Sequence, residues 1–206
     1  MPWYEIVRRT PQVVFGLMLF GLGVAMMKAG NLGFGAWNVF HEGVAERTPL
    51  SLGAVIVVTG LCIVTLFVPL GEKIGPGTLL NALVIGITVE LVLRVLDEPS
   101  TMGWRIALMV AGPVVIGLGS GLYIGGGLGP GPRDGLMTGL HGRGFAIWRA
   151  RTGIEITALA VGLMLGGTIG IGTVWFTLGI GPLVQFFLPR FRRPPPLLEP
   201  PLLSSS

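Results

Sequence analysis

Six stretches of the chain, 13–29, 52–70, 79–96, 106–124, 154–171 and 174–188, are apolar nearly throughout. A bilayer core about 30 Å thick takes roughly 20 such residues to cross as a helix, which pairs its backbone polar groups within the segment. The six stretches consume most of the 206 residues and leave no room for a soluble enzymatic domain. Composition agrees, with 51% hydrophobic and only 12% charged residues, where a soluble domain carries about a quarter charged. The chain reads as an all-α polytopic membrane protein of one domain, its solvent the lipid bilayer.

The net charge of +4 follows topology rather than nucleic-acid binding. With six spans and the N-terminus inside, the inner segments hold Arg8, Arg9, Lys73, Arg133, Arg143, Arg149, Arg151, Arg190, Arg192 and Arg193. The outer segments hold only Lys28, Arg47, Arg94 and Arg105. That asymmetry obeys the positive-inside rule and predicts an inner-membrane protein with both termini cytoplasmic. The first span is read as retained rather than cleaved, because no clean small-x-small site follows it. Cys62 stands alone within a span, a packing residue by expectation, and His41 and His141 have no ligand spacing. No metal and no cofactor is expected. The Pro-rich end, PPPLLEPPLLSSS, reads as a disordered extension.

The chain is written twice. GLGVAMMKAGNLGFGAWNVFHEG (21–43) over GLGSGLYIGGGLGPGPRDGLMTG (117–139) gives eight identities in 23 positions at an offset of 96. IGPGTLLNALVIG (74–86) then falls on IGIGTVWFTLGIG (169–181) at an offset of 95. The layout is a cytoplasmic segment 1–12, membrane repeats 13–97 and 105–189, and a tail 190–206. Within each repeat, a Gly-rich break is followed by a short segment, 36–46 or 132–143. At 1.5 Å per residue, about a dozen residues reach only about 18 Å, too short to cross. The expectation is six full transmembrane helices plus two half-helices in two three-span repeats, inverted because three crossings are odd. The alternative is eight spans with parallel repeats.

These repeats carry a resemblance. NLGFGAWNVFHEG (31–43), IGPGTLLNALVIG (74–86), GLGPGPRDGLMTGL (127–140), RTGIEITALAVG (151–162) and LGGTIGIGT (165–173) are similar to motifs of the bacterial YczE/YyaS/YitT group of integral membrane proteins. The YczE branch is nearest, and the likeness covers about residues 13–189. The resemblance implies a multi-span cytoplasmic-membrane protein of transporter-like design, its substrate not generally established. One departure matters: members tend to have Pro-Trp-Asp where this chain has Ala36-Trp37-Asn38. That removes one ionisable carboxylate from a paired site.

Broken helices expose backbone N–H groups and the positive end of a dipole, so a polar or anionic ligand can dock there. Gly33, Gly35, Gly129 and Gly131 would let the backbone come close, and Pro132 suits a first helical turn. Arg133 and Asp134 follow, with Trp37 and Asn38 as their repeat partners. Close helix packing is the plainer account of the glycines, and loop capping that of Arg133 and Asp134. Glu155, four residues after Arg151, is a candidate for proton coupling or ammonium recognition, or else pairs with Arg151 or Arg149. Glu90 carries the same two readings with Arg94. His41, with Glu42, would line an aqueous vestibule as a pH sensor, or sit at the interface. Thr78, Asn81 and Thr173 follow the G-x-G turns and offer polar groups to the centre or to backbone carbonyls.

The glycine strings lack the strand and the acidic residue of a dinucleotide site. No serine stands beside a histidine in sequence, so no enzyme is expected. The leading expectation is a secondary transporter of a small polar or anionic solute, with its site between the repeats. The competing ones are a membrane regulator or assembly partner of another complex, and a channel. A second copy of the chain remains an expected partner.

Overall fold

Helices order the described residues of the computed structural model, 3–72, 74–145 and 147–193, with no strand among them. They are α1 (Trp3–Gly30), α2 (Ala36–Arg47), α3 (Leu52–Thr65), α4 (Phe67–Leu70) and α5 (Pro76–Leu93), then α6 (Met102–Gly126), α7 (Pro132–His141), α8 (Ile147–Met164) and α9 (Ile171–Phe191). Trp3–Gly30, Leu52–Leu70, Pro76–Leu93, Met102–Gly126 and Ile171–Phe191 are long and apolar enough to cross a bilayer. The chain is a polytopic helical membrane protein.

The expected second span, 52–70, is present with those bounds and carries a local break at Leu66, between α3 and α4, because Pro69 has no N–H for the Thr65 carbonyl and its ring crowds that group. One expected span is corrected. The fifth, expected at 154–171, is instead Ile147–Met164, of which only Gly153–Met164 is apolar. Its end is set by glycine, since Gly166 has φ +98°, a left-handed conformation that few other residues adopt. The Arg149 and Arg151 side chains, and with them their pairing to Glu155, lie outside the described residues, as does the tail 194–206.

α1 and α6 form the central pair. Gly16 lies against Gly119 and Tyr123, Gly23 against Gly112 and Ile116, and Gly30 against Arg105 and Met109. One number rises as the other falls, so the two helices run antiparallel. A Cβ on Gly23 would come 2.6 Å from Ile116 Cγ1, which shows how close the backbones are. In lipid, such approach supplies the dispersion contact that holds helices together. Val13, Leu17, Val24, Met27, Ile85, Val89 and Ile116 fill the core around this pair. α9 runs alongside α6 in the same direction, with Gly117, Gly121 and Gly125 meeting Leu183, Phe187 and Phe191 in turn. Cys62 is exposed at the surface of α3, not packed inside as expected.

Cations gather at the two ends of the bundle. At one end Arg9 donates to Glu5 and to the Gly126 carbonyl, while Arg193 donates to Gln12 and the Arg8 carbonyl. At the other, Arg105 donates to the Gly30 and Asn31 carbonyls, and Arg47 to that of Leu165. Lys28 pairs with Glu42 there.

The two chain breaks are bonded to the opposite half of the molecule. The Gly77 N–H donates to the Leu128 carbonyl at 2.9 Å, and the Thr78 hydroxyl donates to that of Pro130 at 2.8 Å. In the other half the Gly172 N–H donates to Leu32 at 2.8 Å, and the Thr173 hydroxyl to Phe34 at 3.1 Å. Each threonine also accepts the N–H of the glycine three residues before it, Gly75 or Gly170, at 3.2 Å. The residues in between, Gly33 at φ +95° and Gly129 at φ +123°, make the breaks sterically feasible.

Candidate functional site

The short helices begin where the breaks end. α2 runs beside α8, with Phe40 and Gly43 against Gly162 and, further on, Gly43 against Leu165. α7 runs along α3 and α4, with Pro132 near Gly60, Gly135 against Phe67 and Gly139 against Leu70. Their first turns, Gly35–Asn38 and Gly131–Asp134, line one cavity of about 770 Å³. The first N–H groups of a helix have no intrahelical acceptor, so two sets of donors and two positive dipole ends border the same space.

Side chains complete the lining. The Arg133 guanidinium lies over the Trp37 ring, 5.0 Å from its centroid, a cation–π arrangement that fixes the plane of the charge. The Asp134 carboxylate accepts the Tyr123 hydroxyl at 2.8 Å. Arg133 interacts electrostatically with Glu155 and Asp134, yet none of the ion pairs closer than 4.0 Å among the described residues includes it. Asn81 and Tyr123 close on the start of α7, where a Cβ on Gly131 would lie 2.9 Å from Asn81 Nδ2 and 3.2 Å from the Tyr123 hydroxyl.

Three polar atoms at the α2 end are buried without a hydrogen-bond partner among the described residues: Trp37 Nε1, Asn38 Oδ1 and His41 Nδ1. Their residues are 8%, 3% and 2% exposed, and all three line the cavity. Leaving a buried polar group unpaired costs about 1–3 kcal/mol, so three of them on one helix face make this the costliest polar cluster among the described residues unless it is paired by water or a ligand.

Gly35, Trp37, Asn38, His41, Asn81, Gly131, Arg133, Asp134, Glu155 and Thr173 thus share one cavity. Other expected site residues lie elsewhere. Gly33 and Gly129 form the crossed breaks rather than the wall. The Thr78 hydroxyl, wholly buried, is spent on Gly75 and Pro130. Glu90 faces Gly53 of α3 and pairs with Arg94 at 3.6 Å. His41 is 2% exposed and stands in the cavity wall. Glu42, paired with Lys28, also accepts both the N–H and hydroxyl of Thr168, so it tethers the α8–α9 turn. Arg133 is a cavity residue rather than a loop cation.

Sequence reasoning missed Tyr123, Ser120 and Gln185, which also line the cavity. Tyr123 had one available signal, a phenol amid glycines eleven residues before Asp134.

Comparison with known proteins places the chain in a group. An uncharacterized protein of Haemophilus influenzae is 34% identical over 194 residues, covering 94% of this chain and 89% of the relative. An uncharacterized membrane protein of Bacillus subtilis, YczE, is 34% identical over 191 residues, covering 90% and 88%. No solved structure matches the chain significantly. A family model described as a family of unknown function, DUF6198, matches residues 7–189. The chain therefore belongs to that family and is a YczE-like membrane protein.

Proposed function

We propose that the protein is a secondary transporter of a small polar or anionic solute, bound between two inverted three-span repeats. One observation carries this reading: two half-helix N-termini, from opposite halves of the chain, end on a single cavity holding an arginine without a close ion pair among the described residues. Discontinuous helices of this kind present dipole ends to a substrate at the midplane. The antiparallel α1 and α6, and break bonds that recur at offsets of 96 and 95, support inversion over parallel repeats.

In this arrangement α1, α3–α4, α5, α6, α8 and α9 cross the membrane, while α2 and α7 re-enter from opposite sides. Both termini face the bacterial cytoplasm, because the end carrying Arg8, Arg9 and Arg193 is the more basic. The solute passes without covalent change. Arg133 and the first turns of α2 and α7 hold its anionic group, and Glu155 supplies the coupling site. Movement of one repeat against the other then opens the cavity to each side in turn.

The test is uptake by proteoliposomes containing the purified protein, assayed across a panel of labelled metabolites. Arg133→Ala and Glu155→Gln are each expected to abolish uptake while membrane insertion stays normal. Wild-type uptake in both variants would sink the assignment.

A further inference from the structure

The chemistry lining the cavity is two-signed. Its donors are the Trp37 indole N–H, the Arg133 guanidinium and the first-turn N–H groups of α2 and α7. Its acceptors are Asn38 Oδ1, which has no partner among the described residues, and the carboxylates of Asp134 and Glu155. Asp134 is already engaged by Tyr123, which leaves Glu155 as the cavity carboxylate without a hydrogen bond or close ion pair among the described residues. One guanidinium therefore faces two carboxylates, and a bare anion would satisfy the donors while meeting a surplus of negative charge. An amine alone would satisfy Glu155 and Asn38 but leave the buried Trp37 N–H unpaired. A solute carrying both an anionic and a cationic group pairs with Arg133 and Trp37 Nε1 on one side and with Glu155 and Asn38 Oδ1 on the other.

Size and polarity narrow the class further. A volume of about 770 Å³ is far larger than a bare ion needs and falls in the range of about 300–1,000 Å³ typical of organic ligands. Beyond the polar floor, Phe20, Ile85, Ile116, Phe176 and Ile180 line the remainder.

Resting on the transporter reading above, we infer that the solute is a small zwitterion with an apolar body, an α-amino acid or a close chemical relative. Its carboxylate lies at Arg133, Trp37 Nε1 and the helix N-termini. Its ammonium lies at Glu155 and Asn38 Oδ1, and its side chain rests on the isoleucine and phenylalanine wall.

Thermal unfolding of the purified full-length protein in detergent tests this, since a ligand of the native state raises the midpoint. The probes are alanine, valine, leucine, phenylalanine and tryptophan, each beside the carboxylic acid lacking its amino group and the amine lacking its carboxylate. At least one amino acid is expected to stabilise the wild type, with both truncated partners weaker by about tenfold or more, as expected when a charge-assisted hydrogen bond is lost. Glu155→Gln should erase the preference over the acid, and Arg133→Gln the preference over the amine. A truncated partner that matches its amino acid, or no stabilisation by any probe, overturns the zwitterion assignment. An acid that binds as tightly, and is lost in Arg133→Gln, overturns it while the anion site survives. Binding unchanged in Arg133→Gln instead removes the site itself. The wild-type comparison decides the class even where a variant fails to fold.

Discussion

Trp37 does two things in the cavity wall: its ring faces the Arg133 guanidinium, and its indole N–H is buried with nothing to donate to among the described residues. The two contributions separate by substitution. Trp37→Phe keeps a π face but removes the N–H, and is expected to weaken solute binding about tenfold. Trp37→Ala should cost more, because the guanidinium also loses its platform, a contact worth about 2 kcal/mol or more when desolvated. Affinity measured by thermal shift or uptake KM checks the order. At this scale the sequence was readable only in part. Arg133, Asp134, Trp37 and Asn38 stood out through the repeat, since they occupy matched positions after matched breaks. Glu90 and Glu155 did not separate, because each has an arginine four residues away and only packing tells which faces inward. Glu90 meets Gly53 across the α3–α5 contact, whereas Glu155 opens to the cavity.

At the scale of elements, the G-x-G-T turns were visible in sequence as repeats, but their partners were not. A threonine after a glycine turn bonds its own helix or a distant carbonyl with equal chemical ease. The fold shows both at once, since Thr78 and Thr173 each accept from their own N-cap residue and donate to the other half's break. Thr78→Val and Thr173→Val keep shape and lose both bonds. Each is expected to destabilise the protein by about 1–3 kcal/mol, read as a lower unfolding midpoint in detergent, with Thr→Ser restoring most of it. The close α1–α6 approach is similarly exacting. Gly23→Leu should disrupt the bundle outright, as a Cβ there already reaches Ile116 and the Gly112 carbonyl. Expression with gel-filtration profile would report the loss.

At the scale of the molecule, the six-span and eight-span layouts place the same loops on opposite sides. Single cysteines introduced into a Cys62→Ala background separate them by labelling with a membrane-impermeant maleimide. With six spans, Ser51→Cys and Ser100→Cys react in intact cells, while Glu72→Cys and His141→Cys react only after permeabilisation. Eight spans would reverse Ser51, Glu72 and Ser100 and leave His141 inside. Charge counting alone did not choose between the layouts, because both put more arginine inside. Segment length favoured six, but the path of the short helices depends on packing that no local pattern encodes. The crossed breaks carry one further implication. Because the turn of each half seals the break of the other, a half chain by itself would expose the Leu32 or Leu128 carbonyl to hydrocarbon. On the proposed inverted-repeat reading, a single-repeat ancestor would have been viable only as a pair inserted in opposite senses, each copy completing its neighbour. The two halves of the present chain, cut in the 97–101 loop, should accordingly be unstable when made separately and recover activity only when made together.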